Sequence, residues 1–244
     1  MSRADDKWQK WCVQFDAAGT DIQTMFHNRH VWTTIEDMWV RTGGQIELNT
    51  IVQNWFIRNY VSTQCTGIRR ECDEDSRTSS LARCLRRLIE SPTMANRTRY
   101  EAVVMANPEI KDEHKASVIR GFDHFALTPE TSCLDQDRIE ADVAALHAAA
   151  MTTRYYTNKI IAHRQFTDEK ITLSWHDLNR ALNTVGAVFK RYYRLRHPGS
   201  SLGNLGVDLP LGWEQPFRSA WCPEDFWPQP AAHLDNYLPG TATP

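Results

Sequence analysis

Apolar residues recur along this chain at steps of three and four, the spacing of helices that bury one face. From Asp5 to Arg41 the series Trp8, Trp11, Phe15, Ile22, Met25, Phe26, Trp32, Ile35 and Trp39 predicts one broken helix or two. Gly19-Thr20-Asp21 is the expected interruption and Gly43-Gly44 the end. A second helix opens with Asn49 as N-cap and carries Ile51, Val52, Trp55, Phe56, Tyr60 and Ile68. Ser79 or Ser80 caps a short third one, with Leu81, Leu85, Leu88 and Ile89 on one side and Pro92 as its stop. Two weaker helices fill the stretch from Thr93 to Phe125, split by Asn107-Pro108, and Thr128-Pro129-Glu130 makes a turn.

A long helix then starts near Asp135, with Ile139, Val143, Leu146, Ala150, Thr153, Thr157 and Ile160 along one stripe. Another begins at the capping pair Ser174 and Asp177 and buries Leu178, Leu182, Val185, Val188, Phe189 and Tyr192, ending at His197-Pro198-Gly199. The fold expected is therefore all-α, a helical bundle over residues 1–197. Beyond Pro198 the chain turns to Pro, Gly and Trp. Trp213, Phe217, Trp221, Phe226 and Trp227 are too apolar for a free tail, so residues 198–244 are expected to wrap on the bundle as an irregular segment. An exposed aromatic patch for a partner is the other reading.

At 244 residues the chain suits one large domain or a domain with an appendage. Its net charge of −2 provides no global field to draw in nucleic acid, so any RNA contact must come from a local patch. The most basic segment is the short third helix, where Arg83, Arg86 and Arg87 are the candidate RNA-binding residues. A solvated face with local ion pairs explains them equally. Arg58, Arg69 and Arg70 precede the acids Glu71, Asp73, Glu74 and Asp75, a run that can hold magnesium but more simply is solvated or pairs with the arginines. Lys190, Arg191, Arg194 and Arg196 complement a helix C-terminus. The first residues lack the apolar run of a signal peptide, and no run of about 18 apolar residues exists to span a membrane. Six cysteines without a Cys-x-x-Cys pair read as reduced thiols in a cytoplasmic protein, with neither a disulfide framework nor a zinc site.

The densest candidate chemistry is the run from Tyr155 to Phe166. His163 is an imidazole able to exchange protons near neutral pH, and Lys159, four residues earlier, and Tyr156, seven earlier, share its helix face. Asn158 is offset by roughly 140° on an ideal helix, so it reaches the same pocket only if the helix distorts or a second chain contributes. Without further support, His163 reads more simply as a cation at a helix end. His124, in Arg120-Gly121-Phe122-Asp123-His124, is taken as incidental.

The stretch Asn158-Lys159-Ile160-Ile161-Ala162-His163-Arg164 resembles the signature of the HEPN superfamily, helical bundles whose motif is an arginine, often followed by asparagine, and then a histidine. More narrowly the chain is similar to the HEPN-like family linked to abortive infection of the AbiU type. An early helix with paired aromatics, a second helix ending Arg69-Arg70-Glu71-Cys72-Asp73, and a tail reading Gly212-Trp213-Glu214-Gln215-Pro216-Phe217 carry the rest of the likeness. The resemblance implies a metal-independent endoribonuclease without a cofactor, acting in phage defence or a toxin-antitoxin-like system. His163 would then be the acid/base, Asn158 a positioning amide, and Lys159 or Arg154 the phosphate partner. It implies too a homodimer and an antitoxin or defence partner protein. The chain departs from the motif where Thr157 stands in the arginine's place, and Arg154, nine residues before His163, falls on the opposite side of a straight helix. The competing expectation is a catalytically inactive module that binds RNA or protein.

Overall fold

The computed structural model describes residues 3–41, 50–162, 172–200, 202 and 205, with side chains from residue 4 to 37 and from residue 53 onward within those ranges. Every regular element among them is helical: α1 (Arg3–Arg41), α2 (Thr50–Glu71), α3 (Leu81–Glu90), α4 (Arg97–Ala106), α5 (Asp112–Arg120), α6 (Gln136–Tyr156) and α7 (Trp175–Arg196). A short 3-10 turn, Gly121–His124, follows α5, and a π-helical segment, Thr157–Ala162, prolongs α6. Two isolated bridges, Asn96 with Cys133 and Ala126 with Leu134, tie the start of α4 and the chain after the 3-10 turn to the segment entering α6. No described helix is long and apolar enough to cross a membrane.

Four helices start on a side chain that accepts from an otherwise orphaned N–H. Ser80 takes the Arg83 amide at 3.1 Å, Asn96 that of Arg99 at 2.9 Å, Asp135 that of Arg138 at 3.2 Å and Ser174 that of Asp177 at 3.1 Å. Each such cap contributes about 1 kcal/mol. The N-cap expected at Asn49 lies outside the described residues. The break at Gly19 does not occur, and α1 runs through it for 39 residues. The glycine is there for closeness, since a Cβ at Gly19 would stand 2.9 Å from the Phe189 ring of α7. Packing of α7 on α1 thus uses the residue that looked like a helix breaker.

Helices α1, α2, α6 and α7 pack around one core, with α3 laid against α1 and α6. Trp8, Trp11 and Phe15 stack in series with centroids 4.8 and 4.9 Å apart, and Phe15 continues to Phe189 at 5.1 Å. The Trp11 ring is fully buried, and its Nε1–H donates to the Cys84 carbonyl at 3.0 Å, joining α1 to α3. Cys12, Cys65, Cys72 and Cys84 are buried free thiols, while Cys133 is half-buried. The α6 stripe is buried through Thr157, but Ile160 is 37% exposed and Ile161 packs against the core instead. The π segment accounts for this, because i→i+5 bonding inserts a residue and moves the inward position on by one.

Among the described residues two carboxylates are buried. Asp142 on α6 accepts from Arg191 at 2.5 Å and from the Tyr192 hydroxyl at 2.9 Å, clamping α6 to α7. Glu71, expected to be solvated, has no exposed surface and accepts the Leu81 amide at 3.0 Å, capping α3 from the end of α2. Its carboxyl, ordinarily near 4.5, is pushed up to about 7 by burial, with the Leu81 amide and the Arg70 charge pulling the other way. The described residues belong to the unit Met1–Val207. Leu202 and Leu205 pack against its core. The aromatic part of the expected wrap, from Trp213 to Trp227, lies outside the described residues.

Candidate functional site

Residues seven apart on a helix share a face, and one flank of the buried α6 stripe carries His147 and Arg154. Arg154 donates through Nη1 to His147 Nδ1 at 2.9 Å. A guanidinium offers no acceptor, so the hydrogen-bond network assigns the ring proton to Nε2, which donates to Glu74 Oε1 at 2.5 Å. The second Glu74 oxygen accepts from Arg86 Nε, also at 2.5 Å. The chain Arg86, Glu74, His147, Arg154 thus joins α3, the loop after α2, and α6 through four half-buried side chains. Partial burial pushes the Glu74 carboxyl up, yet the hydrogen bonds from Arg86 and His147 and the Arg86 charge outweigh it and hold the group below its usual value. An imidazole held by a carboxylate on one nitrogen and a cation on the other is fixed in tautomer and orientation. That is a prerequisite for directional proton transfer.

Further along α6 the helix widens. The Thr153 hydroxyl donates to the Ala150 carbonyl and the Thr157 hydroxyl to the Thr153 carbonyl, each at 2.8 Å. Hydroxyls that bond back into the ladder loosen it, and the π segment starts at Thr157. This is the place where a distortion was required to bring Asn158 towards the expected pocket. Asn158 is exposed and Lys159 half-buried. Asn158 lies four residues beyond Arg154 and eleven beyond His147, on the same flank as both. Thr157 is only 2% exposed, so the position where the motif has arginine faces the core here and cannot offer a cation outward. On another side, Tyr156 and Ile161 line a cavity of about 540 Å³ with Arg58, Trp175 and Leu178. His163 and the residues after it to 171 lie outside the described residues.

Each arginine of the expected RNA-binding patch already has an acceptor. Arg83 grips Glu90 with both terminal nitrogens at 2.7 and 3.2 Å, Arg86 holds Glu74, and Arg87 donates to Gln14. Their helix is not an open cationic ridge, and a phosphate there would have to displace these partners. Arg29, near the centre of α1, reaches across to Asn183 of α7 at 2.6 Å.

His147 and Glu74 were not singled out by the sequence. The seven-residue step from His147 to Arg154 is a faint signal at best, and nothing in the chain announces that Glu74, 73 positions before His147, closes onto it. Among the described residues no group of three or more His, Cys, Asp or Glu side chains could hold a metal ion. Set against family models, curated proteins and solved structures, the chain matches none.

Proposed function

We propose that this chain is a metal-independent endoribonuclease of the HEPN type, acting in defence against phage as a homodimer under the control of a partner protein. The observation that supports it is the placement of His147 between Glu74 and Arg154. A phosphodiester arriving there competes for Arg154, because a charged oxygen is a stronger acceptor than a neutral ring nitrogen. Withdrawal of the guanidinium leaves Nδ1 free to take the proton of the ribose 2′-hydroxyl. The 2′-oxygen bonds to phosphorus, the bond to the 5′-oxygen breaks, and a 2′,3′-cyclic phosphate is left. In the proposed homodimer, His163 of the partner subunit gives the departing 5′-oxygen its proton. Arg154 offsets the charge that builds on phosphorus oxygens, and Glu74 stabilises the imidazolium.

The test is incubation of the purified chain with total RNA in EDTA. Cleavage is expected to persist under chelation and to fall by roughly 10²–10⁴-fold in His147→Ala or His163→Ala, the usual worth of a proton-transfer group. Undiminished cleavage when both histidines are replaced would refute the assignment. One observation favours a second reading, a non-catalytic binding module: both ring nitrogens of His147 are engaged and Arg83, Arg86 and Arg87 are all paired. That reading expects RNA retained intact, with an affinity that falls steeply as salt rises.

A further inference from the structure

Four of the chain's cations converge where none of the residues assigned to RNA cleavage lies. Arg138 of α6 and Lys190, Arg191 and Arg194 of α7 line one concave cavity of about 570 Å³, floored by Tyr100 and Phe125. No carboxylate is among its lining residues. Arg191 is held by Asp142, but among the described residues the Arg138 guanidinium donates only to the neutral His124 carbonyl, at 2.7 Å, and Arg194 forms no ion pair. Both are exposed. The α7 C-terminus offsets about half a unit charge. Two full guanidinium charges exceed that several-fold, so the helix dipole does not explain why these arginines gather here. Arg138 and His147 are nine residues apart on one helix, which puts them on opposite sides and about 13 Å apart along its axis. The cavity is therefore separate from the flank assigned to RNA cleavage.

We propose that this cavity is a binding site for a small anion carrying two or more linked phosphoryl groups. Its volume falls in the range of small-molecule sites, and its cations surround a hollow where a nucleic-acid groove would string them along a track. Arginine forks match phosphoryl oxygens in pairs, and Arg138 and Arg194 have unspent donors to offer. Gly199, at φ +80°, turns the chain at the cavity rim, where a Cβ would come within 2.9 Å of Ile110.

The experiment is calorimetric titration of the full chain with inorganic tripolyphosphate, with a nucleoside triphosphate, and with sulfate at matched ionic strength. Saturable binding of the first two and none of sulfate is expected. Arg138→Gln and Arg194→Gln should each weaken binding by roughly tenfold, as loss of one charge-assisted contact does, with unchanged melting curves. Arg194→Lys should recover part of the loss, and Arg154→Gln should bind as the parent does, whatever its effect on RNA. Tighter binding of the nucleotide would show the aromatic floor taking the base; equal binding would show that the phosphoryl chain alone is read. Equal affinity for sulfate, affinities unaltered in both glutamine variants, or displacement of tripolyphosphate by single-stranded RNA at lower concentration than by the nucleotide would each overturn the proposal.

Discussion

Trp11→Ala should lower the free energy of unfolding by roughly 3–5 kcal/mol, the usual cost of emptying a buried tryptophan site. The ring is enclosed between Trp8 and Phe15 and touches α3 through its N–H to Cys84. Removing it leaves a void among stiff aromatic neighbours, which cannot collapse into it without breaking the stack. Trp11→Phe keeps most of the stack and loses the donor, so its cost should be nearer 1–2 kcal/mol, comparable to one hydrogen bond plus a small cavity. Urea denaturation of the two variants checks this. Equal losses would mean that the indole N–H, and not the stack, holds α1 on α3.

Glu71 should make the protein less stable as pH rises. Its folded-state pKa of about 7 lies above the ordinary 4.5. Below about pH 4.5 the carboxyl is protonated both folded and unfolded, and its burial carries no ionisation cost. Between there and pH 7 the unfolded chain releases the proton while the folded chain retains it. Stability therefore falls across that window, by about 3 kcal/mol in total, and the loss is complete above pH 7. Glu71→Gln keeps an acceptor for the Leu81 amide and removes the charge. The variant should match the parent near pH 4.5 and exceed it by roughly 2–3 kcal/mol at pH 8. Denaturation midpoints across the pH range give the difference, and parallel curves for the two proteins would contradict it. Glu71→Ala should instead destabilise at every pH, because the Leu81 amide is left buried and unpaired.

Helix type and the inward faces were legible because apolar spacing states them directly. The stripe from Ile139 to Thr153 and the series from Leu178 to Tyr192 are buried as their periods require. Ser174 could be placed, and Ser80 narrowed to one of two serines, because a cap is a local event between residues three apart. Gly19 misled for the opposite reason. Its meaning depends on Phe189, 170 residues away, and a glycine that admits a neighbouring ring looks in sequence like one that ends a helix. Glu71 was hidden in a run of acids, where composition argues for solvent and only the fold of the α2–α3 loop brings it inside. The site suffered most from this blindness to distance. Arg154, Asn158 and Lys159 were named together because they sit on one continuous stretch. The His147 that Arg154 bonds, the Glu74 that His147 bonds, and the convergence of Arg138 with Arg194 depend on how helices are laid side by side.

The buried thiols give the bundle a built-in clock. Burial pushes Cys12 up to about 11 and Cys65, Cys72 and Cys84 up to about 12, so almost none of their sulfur is thiolate near neutral pH. An alkylating reagent can capture them only during moments of opening, which makes each labelling rate a record of how often that part of the molecule comes apart. Mass spectrometry of timed samples should find half-buried Cys133 modified early and the four buried positions late. If Cys12 is captured well before Cys65 and Cys84, α1 peels away by itself; if they advance in step, the aromatic ladder makes the helices open as one.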